Sequence, residues 1–521
     1  MAKKKYLIIY VLIITFSAQP SFLIIWYYWQ LFTVQDALFF VLFPLAFFSA
    51  YLILILYSAI VAKFFLIITN IIHKPKEGIF IRNKSNRDYC YWSLRAVIRK
   101  WPLWLSRQLS LPFLELLVSR ILGLKTHFST SLNEGWYDCE FIECGKNVKL
   151  GQGSIIMSNL IVKDKIIIKR VQIGNDVIIG AHSVVLPGTV IGNNSILDTI
   201  SLTTIDQKID ANSTYSGIPS KKSIDNSQFN DTTVIENHVF GQLAENDLDP
   251  ELLQTHSKEL RIPFHLYITS GFLIIAGSFI LPGFLFIFYF YAHFEPNILS
   301  LHFSLDLLLD RSVIIYLLCT PLVFIVIYLI RLFFLALFTR LFFRFADKRM
   351  PVHGVFDRNL DDTTTALDYY HFGSFLMKYP IFAFIRSPFP WLINWELKFI
   401  GSNKIGKGTV LEECYIHSHI DYGKNCYAGT FSHISNHLVD GVYGSENLTF
   451  WGAESGDNCV YNAMIGGMPG LEVGDNSTWL PMSTSIKYDK MGKNGIYGGF
   501  PLKKLSNEEI KTILGDEFVE E

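Results

Sequence analysis

The hydrophobic positions between residues 173 and 202 follow a period of six. An aliphatic residue recurs at every sixth position, and a small or β-branched residue stands four places after each one. The aliphatic series is Ile173, Ile179, Val185, Ile191 and Leu197, and the second series is Val177, Ser183, Thr189, Ser195 and Ser201. A strand alternates with period 2 and a helix with a period of about 3.6, so neither explains the pattern. Six-residue turns stacked into a parallel β-helix do explain it, because each turn points one aliphatic side chain inward.

This run resembles a known family of enzymes. In one-letter form, IGNDVIIGAHSVVLPGTVIGNNSILDTISL is similar to the hexapeptide-repeat transferases, whose prism is a left-handed β-helix, an exception to the usual crossover handedness. The resemblance implies a transferase that works between neighbouring prisms, where a loop leaving one turn brings a histidine to the interface. His182 lies inside the regular run and is expected to be a structural or surface residue.

Four long apolar runs predict membrane-spanning helices in two pairs. The first pair covers Tyr6 to Phe32 and Asp36 to Ile72, and the second covers Pro263 to Ala292 and Ser312 to Phe345. Each run exceeds the roughly 20 residues that cross a bilayer. Lys and Arg flank the outer ends of both pairs, whereas the turns within the pairs hold one cation, Arg311. The positive-inside rule therefore places the N-terminus, both repeat regions and the C-terminus in the cytoplasm, beneath the inner or plasma membrane.

Each pair of spans is followed by the same two kinds of segment. The segments after the spans mix Trp, Leu and cations and are broken by prolines, which is typical of helices in the membrane interface. Repeat-like sequence follows each of them. The predicted domains are transmembrane hairpin 1 (1–87), interfacial helices 1 (88–122), β-helix 1 (123–224), a linker (225–262), transmembrane hairpin 2 (263–350), interfacial helices 2 (351–398), β-helix 2 (399–505) and a C-terminal tail (506–521).

The two units align residue by residue. At a shift of 278, Pro102 meets Pro380, and past a four-residue insertion the shift becomes 282, where Gly174 meets Gly456. Each unit crosses the membrane an even number of times, so both copies keep the same orientation. The predicted fold class is a mixed membrane protein of two tandem units, each with a transmembrane hairpin, interfacial helices and a cytoplasmic left-handed parallel β-helix.

Composition and charge narrow the function. The 521 residues are 50% hydrophobic and 15% aromatic, which is too apolar for an ordinary soluble protein. A net charge of −1 without a strongly basic half gives no reason to expect a nucleic-acid partner. Seven cysteines lack the spacing of a metal or disulfide framework, so small buried thiols in a reducing compartment are expected. The sequence contains neither a Walker-type loop nor a Ser-centred elbow.

One loop histidine is the candidate base. The loop just before the regular run differs between the units, and only the second unit has an imidazole at its aligned position, His437. An imidazole is suited to take a proton from an incoming amine or hydroxyl. Asp440 or Asn436 is expected to hold its other ring nitrogen and fix the tautomer. The weaker candidates in this loop are His433 and Ser435.

A second resemblance concerns nearly the whole chain. The order of segments and the run His437-Leu438-Val439-Asp440 look like the membrane-bound C-terminal region of the poly-lysine-synthetase type of nonribosomal peptide synthetase. That family forms amide bonds between an aminoacyl thioester and a free amine. This chain departs from it in having no adenylation or carrier domain, two soluble domains instead of three, and Asn436 in place of Thr.

The resemblance also implies an acidic pair before a glycine turn, which Asp138 and Glu140 supply in the first unit. Their counterparts in the second unit are Ile416 and Ser418. This asymmetry predicts one composite site between the units. The second unit gives the base, with Asn436 and Ser435 as substrate-binding residues, and the first gives a wall whose charge attracts an ammonium group.

The leading hypothesis is a membrane-integral acyl or aminoacyl transferase that forms an amide bond. Its donor is expected to be a thioester of coenzyme A or of a phosphopantetheinyl carrier protein, with no cofactor bound permanently. The expected partners are membrane lipid, that donor and a small amine or hydroxyl acceptor, and association of further copies of the chain is left open.

Three other functions remain open. A coenzyme-A-dependent O- or N-acetyltransferase acting on a glycan or lipid-linked acceptor needs the same prism and the same histidine. A zinc hydratase like the γ-type carbonic anhydrases would draw its ligands from His417, His419, His433 and His437. The last alternative is a membrane scaffold without catalytic activity.

Overall fold

The computed structural model describes residues 5–32, 34, 37–109, 111–132, 134–225, 264–304, 306–351, 353–357, 365–440 and 447–519. The predicted linker lies outside the described residues apart from its first residue, Asp225. The turn after the candidate catalytic loop, 441–446, lies outside them as well. Asp440 is described by its backbone only.

Long helices occupy the predicted spans. They are α1 (Tyr6–Leu31), α2 (Ala37–Ile72), α5 (Phe264–Tyr289), which a π-helical segment (Phe290–Leu299) continues, and α6 (Arg311–Asp347). Within the described residues, these four helices are long and apolar enough to cross a membrane. The helix α2 runs unbroken for 36 residues, which is about 54 Å along its axis. It therefore extends past a hydrocarbon core that is roughly 30 Å thick.

Shorter helices connect the spans to the strands. They are α3 (Arg87–Ser106), α4 (Pro112–Leu122), α7 (Thr365–Ile385), α8 (Ile393–Ile400) and α9 (Asn507–Leu514), with 3-10 turns at Asp306–Leu309, Pro390–Leu392 and Asp516–Phe518. One face of α3 packs on α1 and α2, where Ile98 and Leu105 meet Ile13 and Ile55 in a buried cluster. The helix therefore joins the spans to the repeat region.

The first set of short strands pairs in parallel, and we call it the first stack. A strand that precedes α3, β1 (Gly78–Ile81), is followed by β2 (Trp136–Tyr137), β3 (Ile142–Cys144), β4 (Lys149–Leu150), β5 (Ile155–Ile156), β6 (Asn159–Val162), β7 (Lys165–Ile168), β8 (Val171–Ile173), β9 (Ile178–Ile179), β10 (Val184–Val185), β11 (Val190–Ile191), β12 (Ile196–Leu197), β13 (Lys208–Ile209), β14 (Ser213–Ser216) and β15 (Lys221–Asp225). The stack itself has three sheets, in the orders β10-β5-β2, β13-β11-β8-β3 and β15-β14-β12-β9-β4.

The register of the first stack has the period that the sequence predicts. Val190 pairs with Gln172 on one side and with Lys208 on the other, so that neighbouring strands stand 18 residues apart, or three periods of six. Every member of the second series in the repeat, from Val177 to Ser201, is 0% exposed. The predicted parallel pairing and the inward direction of both series are therefore confirmed.

The second set of strands forms the second stack. Its strands, with the preceding β16, are β16 (His353–Asp357), β17 (Val410–Leu411), β18 (Tyr415–Ile416), β19 (Ile420–Tyr422), β20 (Tyr427–Ala428), β21 (His433–Ile434), β22 (His437–Asp440), β23 (Asn447–Trp451), β24 (Ala453–Ser455), β25 (Val460–Tyr461), β26 (Gly466–Gly467), β27 (Glu472–Val473), β28 (Thr478–Trp479), β29 (Lys490–Met491), β30 (Ile496–Gly498) and β31 (Lys503–Lys504). Its sheets have the orders β17-β20-β25-β28-β30-β31, β18-β21-β26 and β19-β24-β27-β29.

Each stack sends out one loop that forms a small antiparallel sheet. In the first stack β6 and β7 pair with each other, and β1 adds to β7. In the second stack β22 and β23 pair with each other, and β16 adds to β23. The strand that adds to the loop comes from the segment just after a pair of spans. Each loop is therefore tied to the segment that follows the preceding pair of long helices.

The two stacks contact each other through the first of these loops and the C-terminal helix. Asn462 of the second stack donates from Nδ2 to the carbonyl oxygen of Ile161 at 3.0 Å. The amide of Lys163 donates to Thr478 Oγ1, also at 3.0 Å. One buried cluster combines Val184 of the first stack with residues of the second stack and of α9. The two repeat regions thus share a core.

Candidate active site

A cavity of about 1530 Å³ lies between the two units. Its side walls are α3 and α7, and its inner wall is made by strands of both stacks. The two helices contribute residues at helical spacing. From α3 these include Tyr89, Trp92, Ala96, Lys100, Leu103 and Trp104, and from α7 they include Tyr370, Ser374, Met377, Lys378, Ile381 and Phe382. The cavity is therefore bounded by one face of each helix.

His437, the predicted base, lines this cavity at the start of β22. Its ring is half-buried, and Nδ1 lies 2.9 Å from Oδ1 of Asn436. Asn436 is 1% exposed, and its Nδ2 donates to the carbonyl oxygen of Ser418 at 2.9 Å and to Ser418 Oγ at 3.1 Å.

This network assigns the tautomer of His437. A backbone carbonyl can only accept hydrogen bonds, so the amide nitrogen of Asn436 must be the atom that faces Ser418. The amide oxygen then faces Nδ1 of His437, and Nδ1 must carry the proton. Nε2 is left with the lone pair, which is the form of imidazole that accepts a proton.

The residues predicted to act with His437 differ in how they contact it. Asn436 and Asp440 were the two residues predicted to hold the second ring nitrogen of His437. Asn436 makes this contact, and the side chain of Asp440 lies outside the described part of the structure. Ser435 Oγ donates to the carbonyl oxygen of His437 at 2.6 Å and accepts from its amide at 3.2 Å, so it shapes the turn. Among the described residues, Asn436 and Ser435 stand behind the cavity wall. Their predicted role in substrate binding stays a prediction.

Two rings flank His437 in the cavity. The ring centroid of His417 lies 5.0 Å from that of His437, and the ring of Tyr370 lies at 5.7 Å, both edge to face. Burial, together with the charges of His437, His433 and Lys378, lowers the pKa of His417 to about 3. His417 is therefore neutral at physiological pH and adds no charge that would oppose protonation of its neighbour.

His433, the weaker candidate for the base, takes another place. It lies in β21, where it pairs with Tyr415 on one side and Gly466 on the other. Burial lowers its pKa. Its side chain is half-buried but is not part of the described cavity wall. Of the two histidines proposed as bases, His437 is the one that a substrate in the cavity would meet.

Asp138 lines the cavity from the first stack. Its Oδ2 accepts hydrogen bonds from the amide of Ser158 at 2.9 Å, from Ser158 Oγ at 3.0 Å and from Asn159 Nδ2 at 2.7 Å. Burial raises the pKa of Asp138 to about 6, and nearby Glu412 adds to the rise, although the bonds from Ser158 oppose it. Three hydrogen bonds thus hold the carboxyl group in place, and its pKa lies above that of an ordinary aspartate.

Glu140, the other predicted acid, is paired. Its two oxygens meet Arg95 Nε at 2.6 Å and a terminal nitrogen of Arg99 at 3.0 Å. All three side chains are buried, so the two guanidinium groups neutralise the carboxylate inside the protein. Glu140 therefore joins α3 to the first stack while it also lines the cavity, and its predicted role in substrate binding stays a prediction.

Glu412 of the second stack is a further acidic residue on the cavity wall, and it was not among the residues predicted from the sequence. It lines the cavity, accepts a hydrogen bond from Tyr427 Oη at 3.2 Å, and has a pKa that burial raises. A signal for it did exist, because Glu134 stands at its aligned position in the first unit. Lys100 and Lys378 were missed in the same way, since they also align at the shift of 278.

The histidines proposed as zinc ligands do not come together as a set. His419 turns away to Asp347, with Nε2 3.1 Å from the carboxylate oxygen. Among the described residues, no group of three or more His, Cys, Asp or Glu side chains is arranged to hold a metal ion.

Comparison with known proteins supports the repeat assignment. Residues 170–197 match the family described as bacterial transferase hexapeptide (six repeats). The chain thus contains repeats of the hexapeptide transferase type. No curated protein matches the chain.

Several solved structures are similar to about a quarter of the chain. A hexapeptide-repeat-containing acetyltransferase from Vibrio cholerae is 18% identical over 26% of this chain and 92% of that one, with a TM-score of 0.22. A galactoside acetyltransferase in complex with coenzyme A is 18% identical over 25% of this chain and 80% of that one, with a TM-score of 0.21. A variant N-acyltransferase from Bacillus cereus, in complex with dTDP and coenzyme A, is 15% identical over 24% and 94%, with a TM-score of 0.17.

Proposed function

We propose that this protein is a membrane-integral acyltransferase that moves an acyl group from a thioester to an amine, with His437 as the general base. The observation that carries the proposal is the hydrogen bond from His437 Nδ1 to Asn436, on the wall of a cavity shared by two repeat stacks. It leaves the lone pair of Nε2 as the proton acceptor. The donor is a thioester of coenzyme A or of a phosphopantetheinyl carrier protein.

The reaction follows from this arrangement. An amine acceptor loses a proton to Nε2 of His437 as its nitrogen attacks the thioester carbonyl carbon. The tetrahedral intermediate then collapses, the C–S bond breaks, and the departing sulfur takes the proton back from His437. The products are an amide and a free thiol, and the histidine returns to its starting form. Asn436 holds the ring through both proton transfers by accepting from Nδ1.

Acidic side chains of both units supply charge in the same proposal. Asp138 and Glu412 attract the acceptor as an ammonium ion, which first releases one proton to solvent and then, as the neutral amine, gives the second proton to His437. At the shift of 278, Asp138 of the first unit aligns with Ile416, and Asn159 aligns with His437. Asp138 and the base, His437, thus come from different units. This supports one composite site rather than two equivalent sites.

We also propose an architecture for the whole chain. We take both stacks as left-handed β-helices and the chain as a tandem duplication of one membrane-anchored unit. The steps of 18 residues, the three sheets in each stack and the matching loop sheets of the two units support this. The flanking charges of the spans support a cytoplasmic position for both stacks. The relation to peptide synthetases stays a prediction from the order of segments.

One observation favours a hydroxyl acceptor, as in an O-acetyltransferase. Because the pKa of Asp138 is raised to about 6, this acid is partly protonated at mildly acidic pH and then attracts an ammonium ion weakly. A hydroxyl needs no such attraction and would use the same base. Comparing amines with alcohols as acceptors in one assay separates the two reactions.

The test is release of free thiol by the detergent-solubilised protein. Acetyl-CoA or an aminoacyl-loaded carrier is supplied with candidate amines, and His437→Ala is compared with the wild type. We expect the rate to fall by about 10²- to 10⁴-fold, the usual contribution of a general base. His182→Ala is the matched control, because His182 is exposed and lies off the cavity wall. Full activity of His437→Ala would show that the base is assigned wrongly.

A further inference from the structure

One end of the cavity lies at the depth of the membrane. The hydroxyl of Tyr51 in α2 donates to the carbonyl oxygen of Leu105, near the end of α3, at 3.2 Å. Tyr51 follows Ala37, the first residue of that span, by 14 residues, which is about 21 Å along a helix. The hydrocarbon core is roughly 30 Å thick. With Ala37 placed at the outer edge of the hydrocarbon core, the C-terminal end of α3, with Trp104 on the cavity wall, lies level with the inner part of the bilayer.

The cavity is open to the side at this end. Leu7 in the first turn of α1 and Phe382 in α7 both line the cavity, yet they are 42% and 45% exposed. Trp104 and Trp391 stand on the same part of the wall, and the indole nitrogen of Trp104 donates to the carbonyl oxygen of Arg386. Exposed apolar side chains beside a membrane span contact lipid rather than water. The opening therefore faces the bilayer.

Two lysines at aligned positions line the cavity, one on each of its helical walls. Lys100 of α3 and Lys378 of α7 each lie two residues before an aligned proline, and both are exposed and line the cavity. The charge of Lys100 lowers the pKa of Glu412, and the charge of Lys378 lowers that of His417, so both act on the site. Within the described residues, neither ammonium group has a hydrogen-bond or ion-pair partner. Ammonium groups without a counter-charge attract phosphate or a similar anion.

We propose that the acceptor is an amphiphile drawn from the membrane, with an anionic headgroup held between Lys100 and Lys378. Its nucleophilic end then points to His437, and its apolar chains leave through the opening at Leu7 and Phe382. That the lipid is the acceptor rests on the proposed function, whereas the binding of the lipid in the cavity does not. The thioester donor, which is soluble in water, enters from the side of the stacks.

The test measures binding to the full-length protein in detergent by native mass spectrometry. The probes are a short-chain phosphatidylethanolamine, which combines amine, phosphate and chains, and glycerophosphoethanolamine, which lacks the chains. Coenzyme A is the third probe and represents the phosphate of the donor. We expect the lipid to bind the wild type and the Lys100→Ala/Lys378→Ala variant to raise its Kd at least tenfold. Leu7→Trp, which fills the opening, should weaken the lipid and leave coenzyme A unchanged.

Two kinds of control keep the result clear. Lys84→Ala/Lys398→Ala removes two exposed lysines that are not on the cavity wall, and we expect lipid binding to be unchanged. Lys100→Arg/Lys378→Arg keeps both charges and should retain most of the binding. Thermal unfolding of each variant shows that it is folded.

Two results would overturn the inference. The first is equal binding of glycerophosphoethanolamine and the lipid, which would mean that the chains make no contact. The second is loss of coenzyme A binding but not lipid binding in Lys100→Ala/Lys378→Ala, which would assign the lysines to the donor. His437→Ala should bind lipid normally. If lipid binds as proposed and no thioester is consumed by the wild type, the lipid site stands and the proposed function fails.

Discussion

His437 is set apart from the other histidines of the second stack by what holds it. Its neighbour Asn436 spans from the ring to Ser418 one turn away, and this contact fixes which ring nitrogen carries the proton. His417 is kept neutral by burial, and His419 is turned to Asp347. These three histidines thus differ in their acid-base chemistry because their surroundings and hydrogen-bond partners differ.

Asp138 is expected to control acceptor binding. Asp138→Asn keeps an oxygen for the hydrogen bonds from Ser158 but removes the charge, so we expect the KM for an amine to rise with little change in kcat. The pKa of Asp138 is raised to about 6, so its carboxylate forms as pH rises through that value. In the wild type, kcat/KM for the amine should therefore rise with pH across this range, and the variant should lack that part of the rise.

The measurement is steady-state kinetics from pH 5 to 8 at varied amine concentration. Glu454→Gln is the control, because Glu454 is an exposed acid that does not line the cavity. Identical pH profiles for wild type and Asp138→Asn would contradict a role of this carboxylate in capturing the amine.

Comparison of the two aligned halves of the sequence selects His437, and the resemblance to the peptide synthetases selects Asp138 and Glu140. The sequence alone could not identify Ser418 as the support of Asn436, because that contact joins stacked turns and needs the actual register. Nor could it tell that Glu140 is neutralised, since its partners Arg95 and Arg99 come from a helix some 40 residues earlier. Lys100 and Lys378 look like ordinary interfacial cations until α3 and α7 are placed opposite each other.

At the scale of elements, the attachment of α3 to the first stack depends on a buried ion-pair group. Glu140 meets Arg95 and Arg99, and burial lowers the pKa of Arg95 while Glu140 raises it. Glu140→Gln would leave two buried guanidinium groups without a counter-charge, so we expect a loss of about 3–5 kcal/mol in stability. Thermal unfolding in detergent should show a clear fall in the apparent Tm.

A neighbouring acid offers a matched control for that change. Glu143 pairs with Lys125 and Arg170 at the surface, where an ion pair contributes about 0–1 kcal/mol. Glu143→Gln should therefore leave the apparent Tm nearly unchanged. An equal fall in both variants would show that the buried group does not stabilise the joint between helix and stack.

The period of six was sufficient to predict the interior of the first stack, because each inward position repeats locally along the chain. The small loop sheets could not be predicted in the same way. Their third strands, β1 and β16, come from segments far away in sequence, as the pairing of Gly78 with Ile168 and of His353 with Trp451 shows. Pairing of this kind leaves no periodic signal in either segment.

At the scale of the whole molecule, the proposed topology places both stacks on one side of the membrane. In a background whose exposed Cys319 is replaced, single cysteines are introduced at Ser304, between α5 and α6, and at Ser227, in the predicted linker. We expect a membrane-impermeant maleimide to label the cysteine at Ser304 from outside intact cells. The cysteine at Ser227 should react only after the membrane is opened. Labelling of both from outside would contradict the common orientation of the two units.

The cavity is shared by the two stacks and by the helices α3 and α7. One unit contributes a carboxyl group and the other a histidine, and both contribute a helix, so neither unit forms the site alone. The shared core between the stacks keeps these groups at fixed positions.

The most direct test of this account is chemical rescue of the base. His437→Gly leaves space beside Asn436 within the cavity, and added imidazole can enter that space and take up the proton. We predict that thiol release by His437→Gly is lost without imidazole and returns in proportion to its concentration, while His182→Gly shows no such dependence. Full activity of His437→Gly without imidazole would contradict the assignment of His437 as the general base.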